Sequence, residues 1–394
     1  MENFAKRMDN IRASDIRELL KIIGNSGIIS FAGGLPAPEL FPVEEMRAAL
    51  NAVLDENGRT ALQYGQTEGW KPLRDHIVKR LAEKNAIHTD ADHILLTAGS
   101  QQGLDFMGKL FLNPGDVVVM ERPSYLGAIN AFKQYECGFA EVPTDENGMI
   151  MSALDRVLAT TPNVKLIYVI PDFQNPSGRT WPLERRKEFI EIINKYNVIA
   201  IEDNPYGDLR FKGEYLPALK SMDAEENVVY FGTFSKILAP GFRIGWTVAN
   251  HEITEKLNLI AQAAVLQTST INAMAIAKYL DLYDIDAHVA TILPVYKHRC
   301  ELMIQTMRET FPEGVKFTDP DGGLFTWVEL PEYINSRELA GACLQKGVAV
   351  VPGDGFFPKG ENKHCFRMNY SNATDEQLIV GVHRLAETIK EFMK

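Results

Sequence analysis

"NVVYFGTFSKILAPGFRIGW", residues 227–246, runs from an apolar strand into a cluster of small, hydroxyl and basic residues. A run so rich in valine and aromatics reads as a strand buried within a sheet. Lys236 follows it directly, and because lysine is rarely buried without a partner, the plain reading is a surface lysine at a strand end. Its neighbours point further. Thr233 and Ser235 supply hydroxyls and Arg243 a rigid fork of donors, together enough for three oxygens of a phosphate. A desolvated lysine also gives up its proton more easily, which makes it a nucleophile towards a carbonyl. The stretch therefore reads as a place where a lysine holds an aldehyde.

Working outward, "HILLTAGS" (93–100), "DVVVMERPSY" (116–125), "VKLIYVIPDFQNP" (164–176) and "NVIAIEDNPY" (197–206) are further strands running into loops. Between the last two, "PLERRKEFIEIINKYN" places Phe189, Ile190, Ile193 and Tyr196 on one helical face with charges opposite. This alternation predicts an α/β fold with a mostly parallel sheet covered by helices. The C-terminal part differs in texture: a helical "PVYKHRCELMIQTMRETF", strands in "GGLFTWVEL" and "HCFRMNYS", and a closing helix "TDEQLIVGVHRLAETIKEFM". The expected division is a large unit of residues 46–290 and a smaller α+β unit formed by 291–394 with the N-terminal 1–45.

Composition narrows the function classes. With 394 residues, 45% hydrophobic and 24% charged, the chain can bury a substantial core and has no disordered tract. A net charge of -11 argues against a nucleic-acid partner, which requires a basic surface. No apolar run is long enough to span a bilayer, and "MENFAKRMDNIRASDIRELL" lacks the apolar core of a signal peptide, so a cytoplasmic protein is expected. Cys137, Cys300, Cys343 and Cys365 are far apart, without CxxC pairs, and the eight histidines show no ligand-like grouping; neither disulfide framework nor metal site is expected.

In open α/β sheets, ligands bind beyond the carboxyl ends of the strands. There this sequence places Ser100 and Gln101, Tyr125, Asn175, Asp203 and Tyr206, and Thr233, Ser235 and Lys236, one set for each strand. Ser100 and Gln101 stand where a helix begins, a site favourable to phosphate, although an ordinary helix cap explains Ser100 equally well. Asp203 follows a buried run and needs a cationic partner, either a structural ion pair or a protonated heterocycle nitrogen. Gly33 and Gly34 in "FAGGLP" let the backbone pass close to a ligand or simply form a turn. No GxGxxG or GxxxxGK[ST] motif is present.

"GTFSKILAPGFRIGW", "PDFQNPSGRT" and "EDNPYGDL" together resemble the fold-type I pyridoxal-phosphate aminotransferases. "ISFAGGLPAPELFP", "LQYGQTEGWKPLR", "ERPSYLGA" and "VPGDGFF" extend the likeness across nearly the whole chain, which is most similar to the 2-aminoadipate, kynurenine and aromatic aminotransferase subgroup. The resemblance implies that Lys236 holds the aldehyde of pyridoxal 5'-phosphate and that Asp203 meets its ring nitrogen. It implies further that Tyr206 and Asn175 contact the phenolic oxygen, that Tyr125 stacks on the ring, and that Ser100, Gln101, Thr233, Ser235 and Arg243 hold the phosphate. Tyr64 matches a tyrosine that reaches the phosphate of a neighbouring subunit, which implies a homodimer with shared active sites. Arg367 matches the arginine that grips the substrate α-carboxylate. Arg17 matches a segment whose arginine meets an acidic side chain or swings away for an apolar one, although an ordinary exposed helix arginine explains it nearly as well.

The implied reaction is a ping-pong transfer of an amino group from an α-amino acid (2-aminoadipate, aromatic or branched-chain) to a 2-oxo acid such as 2-oxoglutarate. Two rivals share the fold: a lyase or decarboxylase using the same cofactor, and a ligand-sensing domain of a transcription regulator. Arg367 and the Arg17 segment favour transamination over the lyase, and the acidic net charge speaks against the DNA-linked sensor.

Overall fold

The computed structural model describes residues 4–10 and 27–394. In chain order the strands are β1 (Ile29–Ser30), β2 (Ile94–Thr97), β3 (Val117–Arg122), β4 (Gly138–Asp145), β5 (Gly148–Met149), β6 (Val164–Val169), β7 (Ile199–Asp203), β8 (Val228–Thr233), β9 (Gly245–Val248), β10 (Lys316–Phe317), β11 (Phe325–Glu329), β12 (Val348–Ala349), β13 (Val351–Pro352) and β14 (Cys365–Asn369). Eight of them form one sheet in the order β2-β9-β8-β7-β6-β3-β4-β5. The pairs β8-β7, β7-β6, β6-β3 and β3-β4 are parallel, as the alternating pattern predicts.

The sequence reading did not separate out β9. It lies antiparallel between β2 and β8, pairing Gly245 with both Thr97 and Thr233. The run "RIGWTV" follows the lysine loop so closely that it looks like loop, but the reversal places its first residues beside the ends of two strands pointing the other way. Arg243 is thereby returned to the same sheet edge as Lys236.

The apolar faces form separate clusters. Phe189, Ile190 and Ile193 of the helix Leu183–Tyr196 are buried against Val119, Ile167 and Ala200, with Tyr196 at the margin. On the other face, Leu104, Phe106 and Met107 of Ser100–Phe111 join Leu166, Val229 and Phe231. A second sheet, β10-β11-β14-β13, packs with the helix Asp375–Phe392, whose start is fixed by a reciprocal capping box between Thr374 and Gln377.

The helix read as starting at Pro294 begins earlier, at Ile285, and runs to Thr310 with Pro294 inside it. An internal proline costs a backbone hydrogen bond, but both halves of this helix are anchored by burial. Ile285, Val289, Ile292 and Tyr296 join the core of the large sheet, while Cys300, Met303, Ile304 and Met307 join the core around β11 and β14. All four cysteines are free thiols, and burial pushes that of Cys300 up to about 12 and that of Cys343 to about 11. Among the described residues no helix is long and apolar enough to cross a membrane.

Candidate active site

Asp203 is the last residue of β7 and Thr233 the last of β8; Asn175 and Tyr206 follow β6 and β7, and Ser100 follows β2. All stand at one edge of the sheet because parallel strands end there together.

Asp203 is buried, and Tyr168 Oη donates to its Oδ2 at 2.8 Å. Its Oδ1 is buried without a hydrogen-bond partner. Burial raises the carboxyl to about 6, opposed by the hydroxyls of Tyr168 and Ser100. A buried carboxylate with one unsatisfied oxygen is costly unless a cation or donor meets it. Among the described residues no arginine or lysine forms an ion pair with it, so none of them supplies the cation.

Lys236 keeps a partial opening to solvent, and its Nζ donates to Gly34 O at 2.7 Å. Desolvation, reinforced by the positive charges of Arg367 and Arg243, pushes this amine down to about 8. The direction is that of a nucleophile or general base working near neutral pH. A Cβ on Gly34 would stand 3.0 Å from Phe325 Cζ, so a side chain there would press on that ring.

The anion-binding corner is built by glycines. Gly99, with φ 81 and ψ 167, is the N-cap of Ser100–Phe111, so Ser100 is the first helical residue instead of the cap. Its hydroxyl is buried and makes no hydrogen bond of ordinary geometry, although it stands near enough to Asp203 to favour that carboxylate. Arg243 Nη2 donates to Ala98 O at 2.7 Å and lies where a Cβ on Gly99 would fall, 2.7 Å away. Thr233 Oγ1 donates to Ser235 Oγ at 2.9 Å, which brings the two hydroxyls together beneath the same corner. Free N–H groups of a helix start, two hydroxyls and a guanidinium suit a phosphate dianion. Gln101 is exposed and its amide donates to Gly127 O at 3.0 Å. The Tyr125 ring covers Gly127, where a Cβ would come within 2.4 Å of Tyr125 Cζ.

Arg367, on β14, comes from the other sheet. Nη1 donates to Asn175 Oδ1 at 2.9 Å and Nη2 to Ala32 O at 2.6 Å, while Nε is buried without a partner. The guanidinium carbon lies 4.1 Å from the Phe325 ring centroid and 5.2 Å from that of Phe356. Burial lowers its pKa to about 10, so it remains a cation at neutral pH. Asn175 also donates to Tyr206 Oη at 3.3 Å, which links Arg367 to the sheet edge. Phe325 meets the Tyr206 ring edge-on, with centroids 5.7 Å apart.

Two predicted residues add nothing to this cluster as described. Tyr64 is 78% exposed, and Arg17 lies outside the described residues. Tyr168 and Ala32 carry site contacts that sequence reasoning did not single out. A tyrosine in mid-strand has the same periodicity as core, and a backbone carbonyl has no sequence signature.

The orphaned Asp203 Oδ1 and Ser100 Oγ, the lowered lysine amine and the glycine-cradled arginine fit the ring nitrogen, phosphate and aldehyde of one molecule. This is a pyridoxal-phosphate enzyme on a mostly parallel α/β sheet. Residues 30–385 match the model of aminotransferase class I and II. The chain belongs to that family; it is a transaminase with pyridoxal 5'-phosphate as cofactor. It is 44% identical to aromatic-amino-acid aminotransferase 1 of Thermococcus litoralis, over 99% of this chain and 95% of that one. Kynurenine aminotransferase of Pyrococcus horikoshii, crystallised in complex with PMP, matches with a TM-score of 0.96 and 42% identity over 100% of this chain and 98% of that one. Alpha-aminoadipate aminotransferase of Thermus thermophilus, complexed with N-(5'-phosphopyridoxyl)-L-leucine, matches with a TM-score of 0.93 and 38% identity over 100% and 98%.

Proposed function

We propose that this transaminase moves the amino group of large α-amino acids, aromatic ones and 2-aminoadipate foremost, to 2-oxoglutarate by a ping-pong mechanism. The observation that carries the reading is Arg367, a buried cation fixed by Asn175, Ala32 O and the faces of Phe325 and Phe356 beside Lys236. Such a guanidinium recognises an α-carboxylate. The relatives named for aromatic, kynurenine and aminoadipate substrates agree with that range.

Pyridoxal phosphate, when bound, supplies the electron sink that accepts the charge left by α-proton removal. The remaining work belongs to the chain. Ser100, Gln101, Thr233, Ser235 and Arg243 bind the phosphate, and Tyr125 covers the ring. Asp203 keeps the ring nitrogen protonated, while Tyr206 and Asn175 address the phenolic oxygen. Lys236 would hold the aldehyde; once displaced by substrate, its amine would take up the α-proton and return it two atoms along, across the substrate nitrogen. With its pKa near 8, a substantial neutral fraction is available for that step. Gly34 and Arg17 complete the substrate side.

Tyr64 reaches the phosphate of a second copy in a homodimer, and its 78% exposure in the single chain supports this. Residues 46–290 form the cofactor-binding unit and 1–45 with 291–394 the unit carrying Arg367, in a cytoplasmic enzyme. A monomer in sedimentation equilibrium at assay concentrations would remove the dimer.

The test is the visible spectrum of cofactor-loaded protein with 2-aminoadipate, phenylalanine, leucine or glutamate added singly. The expected result is loss of the visible band with large donors, pyridoxamine phosphate in the quenched extract, and recovery on adding 2-oxoglutarate. A changed amino acid without pyridoxamine phosphate would mean a lyase or decarboxylase instead.

A further inference from the structure

Tyr168 lies in the middle of β6, paired with Met120 on one side and Ile201 on the other, and is fully buried. Its ring meets Phe132 edge-on at 6.3 Å, which fixes the direction of its hydroxyl. That hydroxyl donates to Asp203 Oδ2 at 2.8 Å. Burial and the neighbouring Asp203 carboxylate hold its pKa well above the usual tyrosine value, so it keeps its proton and acts only as donor here.

A tyrosine that merely needed an acceptor would be served more cheaply by a neutral carbonyl, because a buried carboxylate carries its own desolvation cost. Here the carboxylate's second oxygen is left buried and unpartnered. The titratable groups around Asp203 are tyrosines: Tyr168 from β6, and Tyr206 from the turn after β7, with Tyr125 near both; Ser100 adds a hydroxyl. None is a cation.

We propose that Tyr168 is a positioning residue: its hydroxyl holds Oδ2 of Asp203 so that Oδ1 faces the cofactor's ring nitrogen as a weakly basic, ionised acceptor. The inference rests on Asp203 being the partner of that nitrogen. A carboxylate robbed of this donor is a stronger base, so the proton it shares with the ring moves towards the carboxylate. The ring then loses positive charge and draws electrons less strongly.

The test is the nitrogen-15 shift of ring-labelled cofactor bound to the wild type, Tyr168→Phe and Asp203→Asn. Wild type is expected to show a protonated ring nitrogen and Asp203→Asn an unprotonated one. Tyr168→Phe, which keeps the ring and its contact with Phe132, should move the shift towards the unprotonated value. Its kcat should fall about tenfold, while the donor KM and cofactor Kd stay within about threefold. Protonation lost only in Asp203→Asn would overturn the role of Tyr168 alone; protonation kept in both would overturn the assignment of Asp203. Should Tyr168→Phe not fold, 3-fluorotyrosine at 168 is a stronger donor of nearly the same shape and should hold the nitrogen protonated to a higher pH than wild type. An unmoved midpoint there overturns the proposal.

Discussion

Replacing Gly99 with alanine tests the anion-binding corner without touching any group that would contact the substrate. Gly99 has φ 81 and ψ 167, a region open almost only to glycine, so alanine costs roughly 1–3 kcal/mol of backbone strain. Its Cβ would stand 2.7 Å from Arg243 Nη2, and the guanidinium must move off Ala98 O, where it now donates at 2.7 Å. A charge-assisted hydrogen bond is worth about 1.5–3 kcal/mol, so displacing Arg243 should weaken cofactor binding by about 10- to 150-fold. The assay is a titration of apoprotein with pyridoxal phosphate followed by visible absorbance, with circular dichroism to establish folding. At saturating cofactor, kcat should stay within a few-fold of wild type, since Lys236, Asp203 and Arg367 are untouched. A folded Gly99→Ala protein with unchanged cofactor Kd would refute the placement of the phosphate beside Arg243.

Arg367→Lys should lower kcat/KM for amino donors by about 100-fold or more, because an ammonium that keeps the Asn175 and Ala32 contacts has one donor left and cannot grip a carboxylate with two bonds, and it loses the stack on Phe325. Cofactor absorbance should not change, and steady-state kinetics beside that spectrum separates the two effects. For Asp203 the folded pKa, about 6, lies above the ordinary 3.8, so its effect on stability is unfavourable and grows as pH rises between those values. The accumulated penalty above pH 6 is roughly 3 kcal/mol by the pKa difference. Apoprotein carrying Asp203→Asn should therefore melt a few degrees higher than wild-type apoprotein at pH 7, with the gap closing at pH 4. Equal melting temperatures by calorimetry at pH 7 would contradict a desolvated carboxylate.

The strands that build the site were legible because burial on both faces selects long apolar runs, and each ends in the polar residues that bear chemistry. Asp203, Thr233 and Lys236 could be placed at a sheet edge from that pattern alone. The part of the helix before Pro294 and the strand β9 were not legible, since each depends on partners distant in sequence. Pro294 is tolerated because both flanking turns are buried, and "RIGWTV" becomes a strand because β2 and β8 are open to receive it.

By itself the sequence determined the fold class, the family resemblance and the residue types available for the chemistry, because hydrophobic period and local motif are properties of neighbours in the chain. Tertiary structure decided which groups meet. It brought Arg367 from β14 to Asn175 after β6, Gly34 to Lys236, and Tyr168 from mid-strand to Asp203. Those contacts span 35 to 202 positions of sequence, and their cause is the shared burial of one sheet edge, which no local pattern records.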